Sequence, residues 1–440
     1  MMHSGGRVGN LQNRRVAILT AASLSRNPRV FKEAKTVASA GFQVVVYGAS
    51  FEAAQRQIDE ELARRHSFSF KSVLSPGEGG IKQELLWFWR RVRTRAAVDL
   101  NRYLHIENPW QLGPTVVQLE KQSRSAKADY YIAHLEQGSW VGAQLYRSGS
   151  RVGIDMEDWY SEDLPLEARK NRPLNLLRDL ERKLLTSCAH ATCTSQAMSK
   201  ALAAEFGCPL PTVIYNSFPW SDRESMDGLS KDRRDRRLPS IHWFSQTLGH
   251  GRGLEDLFAA LPLLTREAEI HLRGKPVKGF ESWLVHRVPE EWRRRIIVHE
   301  LVSNAELLSR IAEHDIGFAG ETPLIRNKDL TVSNKILHYL LAGLAVVASE
   351  TAGQREVAMQ APGSVLLYPA GDAPALAARL NILLESADVL IKAKSAALAA
   401  AKATFCWERQ EKLLLETINR AFSSPIHDIN DPRLRFGVGG

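Results

Sequence analysis

The sequence predicts an α/β protein of two doubly wound, Rossmann-like domains facing across a cleft, with helices at the C-terminal end. Three observations lead there. Strand-sized apolar runs alternate with helix-sized segments along most of the chain, which is the pattern of βαβ units on a parallel sheet. Polar, arginine-rich sequence without apolar periodicity breaks that alternation between Ser221 and Arg237. The 440 residues also exceed what a single core organises, at roughly 100–200 residues per domain.

Taken in order, Val16–Thr20 reads as a buried strand, followed by a Ser-Arg-Asn-Pro loop, a helix from Arg29 to Ala40 closed by Gly41, and a second strand, Val44–Tyr47. Further strands are expected at Tyr130–Ala133, Val152–Asp155, Ala191–Thr194 and Val213–Tyr215, with helices at Leu174–Cys188 and Gln196–Phe206. After the interruption the alternation restarts at Ile241–Phe244. It continues through Ile270–Arg273, Ile296–Val298, Ile316–Ala319, Ala345–Ala348 and Val365–Leu367. Helices follow at Ala373–Leu384 and Ile391–Ala403, and after Phe405-Cys-Trp407 an amphipathic helix runs to Ala421. The domain plan is a flexible N-terminus 1–14, a first domain 15–220, a linker 221–238, a second domain 239–404, a C-terminal crossing helix 405–422 and a flexible tail 423–440.

Composition narrows the function classes. Hydrophobic content of 44% and charged content of 24% are globular values. No run of about 18 apolar residues can form a membrane span, and the short run Val16–Ala22 lacks the pattern of a secretory signal. The four cysteines have neither C-x-x-C spacing nor disulfide-scaffold density, and read as buried thiols. A net charge of +9 favours phosphate-bearing or membrane-surface partners, and no nucleic-acid motif accompanies it.

In open parallel sheets ligands collect at the carboxyl ends of the strands, where loop amides and helix N-termini meet phosphates. One such end is Gly249-His-Gly-Arg-Gly253, where the amides of Gly251 and Gly253 and the Arg252 guanidinium are placed to hold a diphosphate. A second is Asp329-Leu-Thr-Val-Ser-Asn-Lys335, in which Ser333 or Asn334 caps a helix beside the Lys335 ammonium. Either stretch could instead be an ordinary loop or cap without a ligand. In Leu85–Arg95, Trp87, Phe88 and Trp89 stand beside four arginines. That mixture suits an anionic membrane surface and equally a helix packed on the first domain. Asp155-Met-Glu-Asp158 follows a strand, so structural hydrogen bonding is expected of it and no metal is assigned.

In chain order, "SLSRNPRVFKEAKTVASAGFQVVVYG", "ADYYIAHLEQG", "VGIDMEDWYSEDL", "VIYNSFP", "GHGRGLEDL" and "VSNKILHYLLAGLAVVASETAGQREV" resemble glycosyltransferases of the GT-B fold, specifically the retaining family 4 (group 1) type. The resemblance spans Arg15 to Ala421. It implies transfer of a sugar from a nucleotide-diphosphate donor, UDP- or GDP-linked, held by the C-terminal half. The acceptor it implies is a saccharide or lipid-linked precursor of the cell envelope. By the same resemblance His134 is the acceptor-side histidine near the reacting carbon, Arg252 and Lys335 contact the diphosphate, and Ser333, Asn334 and His338 belong to the donor site. Arg26 and Arg29 are acceptor-side candidates. No cofactor or metal is then required, because fixed cations and amides stabilise the leaving diphosphate.

The sequence departs from that family at the Glu-x7-Glu positions, which hold Leu330 and His338, and at a basic position that holds Gln246. A nucleotide-sugar epimerase of the same fold and a non-catalytic sugar-binding homologue are the competing readings. The expected location is cytoplasmic, compatible with a peripheral position at the inner face of the membrane.

Overall fold

The computed structural model describes residues 13–74, 80–233 and 238–424. They fall into two compact units. One comprises the described residues up to Cys193, Ser199–Val213 and those from Glu411 onward; the other comprises Thr194–Met198 and Ile214–Gln410.

The first unit is built on seven strands: β1 (Arg15–Leu19), β2 (Gln43–Gly48), β3 (Ser69–Ser72), β4 (Tyr130–His134), β5 (Val152–Met156), β6 (His190–Cys193) and β7 (Thr212–Val213). They lie in the order β3-β2-β1-β4-β5-β6-β7, and every pairing is parallel. All five residues of β4 and of β5 are buried, as the near-continuous apolar runs of central parallel strands require. Because the chain winds outward from β1 in both directions, the order reverses between β1 and β4, the point at which open parallel sheets generally gather their ligands.

The second unit repeats this plan with β8 (Ser240–Leu248), β9 (Glu269–Pro276), β10 (Ile296–His299), β11 (Ile316–Ala319), β12 (Ala345–Ser349) and β13 (Val365–Tyr368). The order is β10-β9-β8-β11-β12-β13, again wholly parallel, and the reversal falls between β8 and β11. Ile241, Trp243, Leu257, Ile270, Phe318, Val347 and Leu380 centre its core. The α/β class and the two doubly wound sheets agree with the sequence-based expectation.

Three details differ from it. β3 carries no strand signal in the sequence, because Ser69-Phe-Lys-Ser72 is a short edge strand with one buried apolar residue. β8 continues past Phe244 to Leu248 through an irregularity between Phe244 and Thr247, so periodicity stops where the strand does not. The stretch expected as a linker is largely built into the second unit. Asp227 accepts two bonds of 2.6 Å from the buried Arg310, and the buried Arg233 donates to Asp315 at 2.6 Å. Charged anchors leave no apolar period, which is why this segment reads as a connector; residues 234–237 lie outside the described residues. So do nearly all of the two ends expected to be flexible, 1–14 and 423–440, and the final helix runs Trp407–Ser423.

Candidate functional site

The glycine loop follows β8. Gly251 and Gly253 both take left-handed backbone, φ +70° and +81°, which glycine adopts without strain. At Gly253 space matters as well, since a Cβ there would lie 2.8 Å from the Gly320 backbone, just beyond β11. The loop is therefore pressed against the neighbouring strand end across the switch point. Arg252 is exposed and donates from Nη1 to Ser245 Oγ at 2.7 Å. The Gly251 amide donates to Glu255 at 2.8 Å.

The second predicted stretch meets the same place. Ser333 caps the helix Asn334–Ala342, accepting from the Lys335 amide at 3.3 Å. The Glu321 carboxylate, one residue past Gly320, accepts from Lys335 Nζ at 2.8 Å and from Ser333 Oγ at 3.1 Å. Lys335 and Ser245 line one cavity of about 190 Å³ together with Phe244, Gln246, Arg273, Leu301, Val302, Asn304 and Leu307. Ser245 and Gln246 sit at the β8 irregularity, which re-aims side chains in this way. Lys335 thus lines the cavity itself, Arg252 is tied to it through Ser245 and Ser333 through Glu321, and Gly253 lies against Gly320 at the neighbouring strand end. His338 stands beside it, its ring 3.5 Å from that of Phe218 and its Nδ1 against the Asn334 carbonyl at 3.0 Å. Asn334 is exposed and accepts from Asn216 at 3.1 Å.

Sequence reasoning missed Glu321 and Arg273. Glu321 was findable as the first charged residue after the Ile316–Ala319 strand. Arg273 was hidden inside a strand pattern. It lines the cavity and also pairs with Asp232, which stands 3.4 Å from His299 and 3.7 Å from His314. His271 bonds His299 at 2.9 Å, and His242 stacks on His314 at 4.4 Å. Burial, with like charge around it, pushes His271 down to about 3. His314 is likewise pushed down to about 3 by burial, against the pull of Asp232. These rings are neutral in the fold.

In the first unit the strand end is closed. His134 ends β4 and is fully buried, with Nε2 2.5 Å from Glu33 Oε2 and Nδ1 2.8 Å from Glu157 Oε1. Burial opposes its protonation, but the Glu33 charge and the bonds to Glu157 and Glu33 win and raise it to about 10. Arg29 forks onto Asp155 with bonds of 2.9 and 2.7 Å, and Thr192 adds a third at 2.7 Å. Although burial disfavours the charge, Arg29 and His134 hold Asp155 down to about 2. Both ring nitrogens of His134 are engaged and Arg29 is buried, so in this structure neither faces open space. Asp155 and Glu157 spend their carboxylates on Arg29, His134 and Asn27. Arg26 is exposed and lines a separate cavity of about 290 Å³ at the ends of β1 and β2, with Ser23, Ala49, Phe51, Glu52 and Gln55.

Residues 240–386 match the family described as glycosyl transferases group 1. No curated protein sequence matches the chain. Among solved structures, sucrose-phosphate synthase from Thermosynechococcus elongatus aligns with a TM-score of 0.66 at 13% identity, over 93% of this chain and 100% of that one. HepE of Anabaena, solved with UDP and glucose, aligns at 0.66 and 16% identity over 92% and 99%. A Listeria monocytogenes protein provisionally assigned as a UDP-N-acetylglucosamine 2-epimerase aligns at 0.54 and 13% identity over 93% and 97%. The fold is the GT-B fold, and the stretch that matches the group 1 family contains the glycine loop, Glu321, Ser333 and Lys335.

Proposed function

We propose that the chain is a metal-independent glycosyltransferase. In this reading the second unit holds a nucleotide-diphosphate sugar and the sugar passes, with retention, to a saccharide or lipid-linked acceptor of the cell envelope. The observation that carries the proposal is a cavity at the β8/β11 switch point lined by Lys335 and Ser245, with Arg252 bonded to that Ser245 and the glycine loop packed on Gly320, all inside the family-matched segment. When the bond from the sugar carbon to the β-phosphate oxygen breaks, the electron pair leaves with the diphosphate. Arg252 and Lys335 then stabilise the added charge. A bound phosphate competes with Glu321 for Lys335, and the released carboxylate is free to accept from sugar hydroxyls. That would supply a contact the family takes from the glutamate whose position holds Leu330. His134 acts as a positioning residue, holding Glu157 and Glu33 at the end of β4. In this reading the reaction runs in the cytoplasm, and the UDP bound by HepE makes UDP the first donor nucleotide to try, with GDP second.

The test is a screen of UDP- and GDP-sugars by thermal shift, since a ligand of the native state raises its stability. A transfer assay with the responding donor follows, in excess EDTA. Transfer that survives chelation is the expected result. Loss of transfer on chelation, with recovery on adding magnesium, would contradict metal independence. Interconversion of the donor sugar without an acceptor would instead support the epimerase reading.

A further inference from the structure

The helix Gly80–Leu104 lies in the first unit and, at 1.5 Å per residue, is about 37 Å long. Its inner face is anchored: Ala97 and Asn101 are buried, and Asn101 donates to the Arg172 carbonyl at 3.2 Å. Its outer face is apolar. Ile81, Leu85, Phe88 and Val92 follow the four-three-four spacing of one helical stripe, with Leu86 and Trp89 beside it, and all are exposed. Phe88 and Trp89 each show 58% of their surface to solvent. Soluble proteins rarely leave so continuous an apolar surface uncovered. By helical position Arg91, Arg95 and Arg102 border the stripe on one side and Arg93 on the other, and all four are exposed.

We propose that this outer face docks on an anionic lipid surface, with the apolar stripe in the headgroup region and the flanking guanidinium groups on lipid phosphates. The charge pattern selects the occupant. Pairing with a second copy of the helix would set arginine flanks against arginine flanks, with only Glu84 and Asp99 to offset them, and Asp99 is already bonded to Arg95 at 3.2 Å. A bilayer rich in phosphate headgroups complements both flanks at once. No helix among the described residues is long and apolar enough to cross a membrane, so the contact lies on the surface. The same helix leads to the cavity at the β1 and β2 ends, because Trp87 packs on Phe51, one of its lining residues, at 6.0 Å. An acceptor carried by the lipid would then be presented beside Arg26. The docking itself does not depend on sugar transfer.

The experiment is co-sedimentation of the full chain with phosphatidylcholine vesicles, with and without phosphatidylglycerol. Sedimentation is expected only with the anionic vesicles and is expected to fall as salt rises. Arg91→Ala with Arg95→Ala should weaken it by about fivefold for each charge removed. Phe88→Ser with Trp89→Ser should abolish it while leaving the thermal midpoint unchanged, since both side chains are exposed. Three results would overturn the proposal: equal binding to both kinds of vesicle, binding unaffected by the double aromatic substitution, or a dimer by light scattering that this substitution dissolves. The last would assign the face to a second copy.

Discussion

At the switch point between β1 and β4, each buried cation is answered by a carboxylate. Arg29 meets Asp155, and His134 is held between Glu33 and Glu157. At the equivalent point between β8 and β11, Arg252 reaches a neutral hydroxyl and stays exposed, and Lys335 shares a single carboxylate at a cavity rim. The topology is the same, so what separates the two ends is charge balance. Removing one member of a closed buried network strands the charge of its partner, whereas positive charge left at an open rim is available to an anion.

The largest effect should come from breaking the closed end. His134→Ala leaves the buried Glu33 carboxylate without its cation, and losing one partner of a buried pair costs about 3–5 kcal/mol. For a unit of this size that lowers the melting midpoint by roughly 10 °C, whereas Arg252→Ala should leave the midpoint nearly unchanged. Differential scanning calorimetry of the two variants decides it, and equal midpoints would remove the distinction.

The pH dependence should also separate the units. His134 is raised to about 10 in the fold, so its contribution is complete below its ordinary value of about 6.5 and is lost as pH rises toward 10. His271 and His314 are lowered to about 3. Their contribution is complete above about 6.5 and is lost as pH falls toward 3. Local stability followed by hydrogen exchange should therefore weaken around β4 at alkaline pH and around β9 at acid pH. The reverse order would contradict the assigned protonation states.

Most of the scaffold was legible in the sequence because central parallel strands are near-continuous apolar runs, as at Tyr130–Ala133 and Ile316–Ala319. The glycine loop and the Ser333 cap were legible because each is a local signal with a backbone reason. What escaped depends on distant partners. Glu321 is visible as a strand-end carboxylate, but its partner Lys335 is not, and nothing local marks His134 as fully buried between carboxylates from elsewhere in the chain. Arginines such as Arg233 look solvated until the fold supplies Asp315.

A smaller effect tests the open rim. Glu321→Gln should keep the fold and the hydrogen bond to Lys335 while removing a negative charge from the rim. Binding of the free nucleotide diphosphate is then expected to tighten by a few-fold, at about 1 kcal/mol or less for one partly exposed pair. If Glu321 accepts from sugar hydroxyls as proposed, affinity for the whole donor should rise less than affinity for the free nucleotide. Equal gains for both would remove Glu321 from the sugar contact.

Whether the second unit's open rim is the diphosphate site is decided by calorimetric titration of UDP, then GDP, into the full chain and into Arg252→Ala. Saturable binding to the full chain is expected, weakening about tenfold to a hundredfold in the variant through the loss of one charge-assisted contact. Unchanged affinity in a folded Arg252→Ala protein would contradict it.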